Sequence, residues 1–122
     1  MSTINLTADT FEQTIAANDF VLVDWWASWC GPCRNFAPVF EKAADTHSDI
    51  VFGKIDTDAE QALAGAANIT AIPTLMAFRE GVLVFSQPGA MAGPQLEELI
   101  TALRGIDMTQ VHAEIAAQGE QN

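Results

Sequence analysis

Val21-Leu22-Val23-Asp24-Trp25-Trp26 is apolar on both faces of an extended strand except at Asp24. That is the pattern of a central strand covered on both sides. Downstream, Phe36, Val39, Phe40 and Ala43 recur at helical spacing and predict a helix over residues 33–46, kinked by Pro38. Upstream, residues 4–6 read as a short edge strand. Asp9 and Glu12 resemble a capping box ahead of Phe11 and Ile15, which predicts a helix over residues 9–17. Residues 50–56 read as the next strand and 60–66 as a short helix. Residues 74–78 and 82–85 flank Glu80-Gly81 and predict a β-hairpin. Gly93-Pro94 opens a last core helix with Leu96, Leu99, Ile100 and Leu103 facing inward, and Gly105 is its C-cap.

The order β-α-β-α-β-α-β-β-α predicts an α/β domain with a central mixed sheet, parallel at first and antiparallel at the end, flanked by helices on both faces. The domain is expected to span residues 1–105. Residues 106–122 form an extension. In it Asp107 and Gln110 match a capping box, and Met108, Val111 and Ile115 share one face, predicting an extra helix over residues 107–117 and a disordered end. A helix this short is unstable alone in water, so it must dock or fray, and docking is expected.

The 122 residues suit one domain, and 49% of them are hydrophobic, enough for one compact core. Lys and Arg total 5 against 16 Asp and Glu, a net charge of −11. That field repels nucleic-acid phosphates and anionic membrane surfaces. No apolar run approaches a membrane span. The first five residues carry no basic stretch and no apolar signal core, so a cytoplasmic protein is expected, with a mature chain that has lost its signal as the alternative; a monomer is also expected.

Only two cysteines are present, both in Trp29-Cys30-Gly31-Pro32-Cys33. A strand feeding a Cys-x-x-Cys at a helix start is a redox arrangement. Unpaired N–H groups and the positive dipole end favour a thiolate there. Cys30, before the helix, is expected to face solvent and act as nucleophile. Cys33, inside the first turn, is expected to be the buried, resolving thiol. A metal site normally needs four ligands, and no second cysteine pair exists, while His47 and His112 lie in helical or terminal segments. His47 reads as solvated. Asp56, Asp58 and Glu60 read as a solvated stretch without the glycine and spacing of a calcium loop. Asp24, inside an apolar run, is a buried carboxylate suited to proton transfer. Trp29 is expected to be a partly exposed ring shielding the site, with Trp25 and Trp26 in the core on opposite strand faces.

Taken together, Asp24, Trp26, Ala27, Trp29-Cys30-Gly31-Pro32-Cys33, Pro38, Lys54, Asp56, Ile72-Pro73-Thr74, Gly81 and Gly89 resemble the thioredoxin family in order and spacing, over roughly residues 4–104. The resemblance implies the thioredoxin fold and a protein-disulfide reductase working by dithiol–disulfide exchange. It implies no bound cofactor beyond the redox-active disulfide, and electrons drawn from NADPH through a thioredoxin reductase. Asp24 would be a general acid–base toward Cys33, its pKa lowered by Lys54. A carboxylate simply held in a salt bridge to Lys54 is the structural alternative, and both can hold together. Pro73 would be cis, whereas X–Pro bonds in general are mostly trans. Ile72 and Thr74, with Gly89, would then offer backbone groups to an extended substrate peptide. Gly31-Pro32 between the cysteines resembles the reducing members. An oxidant or isomerase of exported proteins, and a partner-binding module with incidental thiols, are the alternatives. Ala67, Asn68, Asn35 and Pro88 depart from the family's usual residues and bear on partner choice.

Overall fold

The computed structural model of the chain describes residues 2–120. One sheet holds β1 (Thr3–Asn5), β2 (Phe20–Trp26), β3 (Val51–Asp56), β4 (Thr74–Arg79) and β5 (Val82–Pro88), in the order β1-β3-β2-β4-β5. β1 and β2 run parallel to β3, and β4 runs antiparallel to both β2 and β5. The helices are α1 (Phe11–Ala17), α2 (Gly31–Thr46), α3 (Gln61–Ala66), α4 (Gly93–Arg104) and α5 (Met108–Glu120).

β2 is the centre of the sheet, and its two-residue period feeds two core layers. Phe20 and Leu22 pack with Phe36, Phe40 and Ala43 of α2 and with Leu96, Ile100 and Leu103 of α4. Val21, Val23 and Trp25 pack with Ile15 of α1 and Ala64 of α3. Helices therefore cover both faces. Asp24 falls on the α2 side by the same alternation, which points an acid at the start of the cysteine-bearing helix.

Local chemistry moves several element ends. α2 begins at Gly31, two residues before the predicted start, because the Cys30 side chain caps it. The Asp9–Glu12 capping box does not form. Thr10 takes the N-cap position, and its hydroxyl accepts the Thr7 N–H at 3.0 Å. Phe11 still packs as predicted, with ring centroids 5.9 Å from both Trp25 and Phe78. The hairpin turn at Glu80 (φ 51°) and Gly81 (φ 80°) has positive φ at both central residues, the geometry that matches strand twist.

The extension is helical over Met108–Glu120, past the expected end at residue 117, so the disordered end expected from residue 118 is helical as far as residue 120, and half of the capping box is made. Asp107 Oδ1 accepts the Gln110 N–H at 3.2 Å, while the Gln110 amide turns to Glu114 at 3.1 Å. Met108 is buried and Val111 half-buried, but Ile115 is 47% exposed, so docking involves only the first turns. His112 Nε2 lies 2.9 Å from Glu80 Oε1, tying α5 to the hairpin turn. His47 is not simply solvated. Its ring bridges Glu97 at 2.8 Å and Arg104 at 3.0 Å, joining the ends of α2 and α4. No helix among the described residues is long and apolar enough to cross a membrane.

Candidate active site

Ala27-Ser28-Trp29 carries the chain from β2 to Cys30, the N-cap of α2. Cys30 Sγ accepts the Cys33 N–H at 3.2 Å, so a sulfur fills the role of the usual capping oxygen. Gly31 and Pro32 open the first turn, where the N–H that proline lacks has no intrahelical partner anyway. Cys30 and Cys33 form a disulfide with their Cα atoms 5.2 Å apart.

Exposure does not separate the two sulfurs as the sequence led us to expect. Cys30 is 4% exposed and Cys33 3%. In the disulfide, both cysteines are buried. What separates them is their surroundings. Cys30 Sγ lies 3.7 Å from Ile72 O, on the side of the 69–72 loop. Cys33 lines a cavity of about 100 Å³ together with Asp24, Trp26, Ala27, Arg34, Ala37 and Lys54.

Asp24 is 1% exposed, and neither carboxylate oxygen has a hydrogen-bond partner among the described residues. Burial pushes its pKa from 3.8 up to about 7, and the positive charge of Lys54 opposes the rise. Lys54 sits beside Asp24 in the parallel β2–β3 register. Its ammonium lies 5.2 Å from the centroid of the Trp26 ring and makes no ion pair with Asp24 among the described residues. The salt-bridge alternative is thereby corrected. The lysine ammonium lies over the indole face, and its charge reaches Asp24 through space.

The Ile72–Pro73 peptide bond is cis. Pro73 O accepts the Gly89 N–H at 2.8 Å, and Gly89 holds φ 108°, a conformation that favours glycine. Thr74 opens β4 in register with Trp25 and Pro88, and its hydroxyl donates to Ala71 O at 2.5 Å. A groove of about 400 Å³ runs along Trp29, Thr57 and the 69–72 loop.

Trp29 is 66% exposed and donates its indole N–H to Asp58 Oδ2 at 2.9 Å. The acidic stretch is thus not merely solvated. Asp56 Oδ1 accepts the Asp58 N–H at 2.9 Å, and Glu60 accepts the Ala8 N–H at 2.7 Å. No cluster of potential metal ligands occurs among the described residues. Sequence reasoning missed the Trp29–Asp58 bond, for which a separation of 29 residues leaves no pattern. It also missed Arg34, whose guanidinium donates to Ser28 O at 3.0 Å across the cysteine turn. A cation in the first turn of a helix was the available signal, since the dipole disfavours it. Among the departures, Asn68 holds φ 58°, Ala67 packs partly buried on the α1–α3 layer, and Asn35 and Pro88 are exposed.

A helix-capping dithiol beside a buried acid and a cis-proline loop defines a thiol–disulfide redox protein. The thioredoxin family model matches residues 2–114. The chain is 51% identical over 120 residues to the protein called putative thioredoxin 2 of Streptomyces coelicolor, covering 98% of this chain and 90% of that one. It is 40% identical over 97 residues to a thioredoxin of Alicyclobacillus acidocaldarius, covering 79% of this chain and 92% of that one. The solved structure of Plasmodium falciparum thioredoxin superposes with a TM-score of 0.75 at 34% identity, covering 82% of this chain and 97% of that one. The chain belongs to the thioredoxin family. Its fold is the thioredoxin fold, and it is a protein-disulfide reductase acting through a redox-active cysteine pair. Disulfide-bearing proteins and a thioredoxin reductase are the kinds of partner this implies.

Proposed function

We propose that Cys30 is the attacking nucleophile and Cys33 the resolving thiol. The observation that carries this order is the asymmetry of their surroundings, Cys30 toward the peptide-facing loop and Cys33 toward the Asp24 cavity. In the reduced protein, Cys30 Sγ⁻ attacks one sulfur of a substrate disulfide. The bond to the other substrate sulfur breaks, and that sulfur leaves as a thiolate. Cys33 then attacks the mixed disulfide at Cys30, releasing the second substrate sulfur and closing the Cys30–Cys33 bond. Asp24 takes the proton that Cys33 loses, through the shared cavity. Lys54 keeps the carboxylate ionised over more of the neutral range. The N-cap position favours thiolate at Cys30 both as attacker and as leaving group.

Trp29, Gly31 and Pro32 shape the turn. Ile72, Pro73, Thr74 and Gly89 form the loop against which an extended substrate strand lies. Electrons return from NADPH through a thioredoxin reductase. The protein works in the cytoplasm as a monomer, with residues 1–105 as the redox domain and 106–122 as an appended segment. Coupled turnover tests this reading. With a purified thioredoxin reductase, NADPH consumption on an insulin-type disulfide should depend on this chain. Oxidation of reduced substrates without net reduction would instead indicate an oxidant or isomerase.

A further inference from the structure

Only five Lys and Arg residues stand against sixteen Asp and Glu in this chain, yet two of the five, Arg34 and Lys54, line the small cavity beside Cys33. Arg34 is the more exposed. It follows Cys33 in the first turn of α2, where the helix dipole opposes a cation and where no acidic side chain is present to offset it. Its side chain bends back over the turn. One guanidinium nitrogen donates to Ser28 O at 3.0 Å, and the other lies 3.9 Å from the position a Cβ would take at Gly31. The planar fork thus lies across the backbone that carries Cys30, with donor capacity left over. A residue placed against local preference, with its charge displayed beside the reacting sulfurs, is the mark of a functional position.

Lys54, the other cation of the cavity, rests over the Trp26 ring, and the residues of the turn and the facing loop, Trp29, Gly31, Pro32, Ala71 and Ile72, are uncharged, while Asp58 is engaged by the Trp29 indole. The other acidic groups give the molecule a field that repels acidic partners at long range. At contact distance, the guanidinium reverses that sign.

We propose that Arg34 is a specificity-determining residue that selects disulfides flanked by acidic side chains, which it receives as the substrate peptide crosses the turn. This deepens the reductase reading and rests on it. A carboxylate next to a substrate cysteine would meet the open edge of the guanidinium while the scissile sulfur meets Cys30. A basic flank would be disfavoured at the same spot.

The test uses the pre-reduced full chain and two synthetic disulfide peptides that differ only in carrying Glu or Lys beside one cysteine. The second-order rate constant of each is measured in the wild type, Arg34→Gln, Arg34→Glu and Lys42→Gln. Lys42 lies on the same helix, about 12 Å further along the axis and beyond a Debye length of about 8 Å, so it controls for net charge alone. The Glu-to-Lys rate ratio should fall by roughly 3–10-fold in Arg34→Glu, by less in Arg34→Gln, and hardly at all in Lys42→Gln. The differences should shrink in high salt. An equal ratio in the wild type and both Arg34 variants, or an equal fall in Lys42→Gln, would overturn the proposal while leaving the reductase reading intact. A wild type that reduces neither peptide would overturn both.

Discussion

Asp24 and Lys54 are neighbours by register across β2 and β3, yet they are coupled through space and not by contact. The lysine rests on the Trp26 ring, and the buried carboxylate has no hydrogen-bond partner among the described residues. Desolvation dominates, which leaves an acid poised near neutrality. An acid of that kind populates both forms near neutral pH, as the proposed relay between a thiol and solvent requires.

Resolution by Cys33 should therefore quicken as pH rises through about 7, where Asp24 becomes able to accept a proton. Lys54→Met removes the charge that lowers this pKa, so the pH–rate profile should move to higher pH. Rapid-mixing kinetics between pH 6 and 9 would check this. A profile unmoved by the substitution would exclude Lys54 from tuning the acid.

The same acid weakens the fold. A pKa raised from 3.8 to about 7 corresponds to roughly 4 kcal/mol of unfavourable burial of the charged form. Below the unfolded value both states are protonated and nothing is lost. The penalty grows as pH rises from about 4 to 7 and is complete above that. Asp24→Asn should thus be more stable than the wild type by on the order of 1–3 kcal/mol at pH 8, with the gain vanishing near pH 3.5. Its turnover near neutrality should be slower. Urea denaturation at the two pH values, set beside turnover, separates these effects. Lost stability with unchanged turnover would make Asp24 a structural residue.

Much of this was legible in the sequence, because the informative elements are local. The β2 run, the α2 face, the Glu80-Gly81 turn and the Cys-x-x-Cys are patterns within a few residues. What escaped depends on distant partners or on competing local bonds. Thr10 displaced the Asp9–Glu12 capping box by bonding Thr7. His47 and Asp58 were read as solvated because Glu97, Arg104 and Trp29 are far away in the chain. The burial of Cys30 goes with the 69–72 loop beside it, which position ahead of the helix could not reveal.

Gly53 lies in β3 between β1 and β2, where an added Cβ would collide with the Leu6 side chain. Leu6 is itself buried and has little room to turn away. Gly53→Ala should cost about 1–3 kcal/mol by overpacking, read as a lower denaturation midpoint with the dithiol still reactive. A midpoint equal to the wild type would mean that β1 yields freely.

Ending the chain at Gly105 should lower the melting temperature modestly. Ile106 packs against the α2–α4 core layer and Met108 is buried, whereas Ile115 contributes little. Their burial stabilises by roughly 2–4 kcal/mol before ordering entropy is subtracted, which leaves a shift of roughly 5 °C. Reduction of disulfides should persist in the shortened chain. An unchanged melting temperature, with fast amide exchange along α5, would show that the helix does not dock.

The most direct test of the dithiol mechanism is mass spectrometry of single-serine variants mixed with a disulfide substrate. Cys33→Ser retains the attacker and lacks the resolver, so it should accumulate a stable mixed disulfide at Cys30. Cys30→Ser should form no adduct and reduce nothing. Stable adducts on Cys33 in the Cys30→Ser protein, with none on the other variant, would contradict the assigned order of attack.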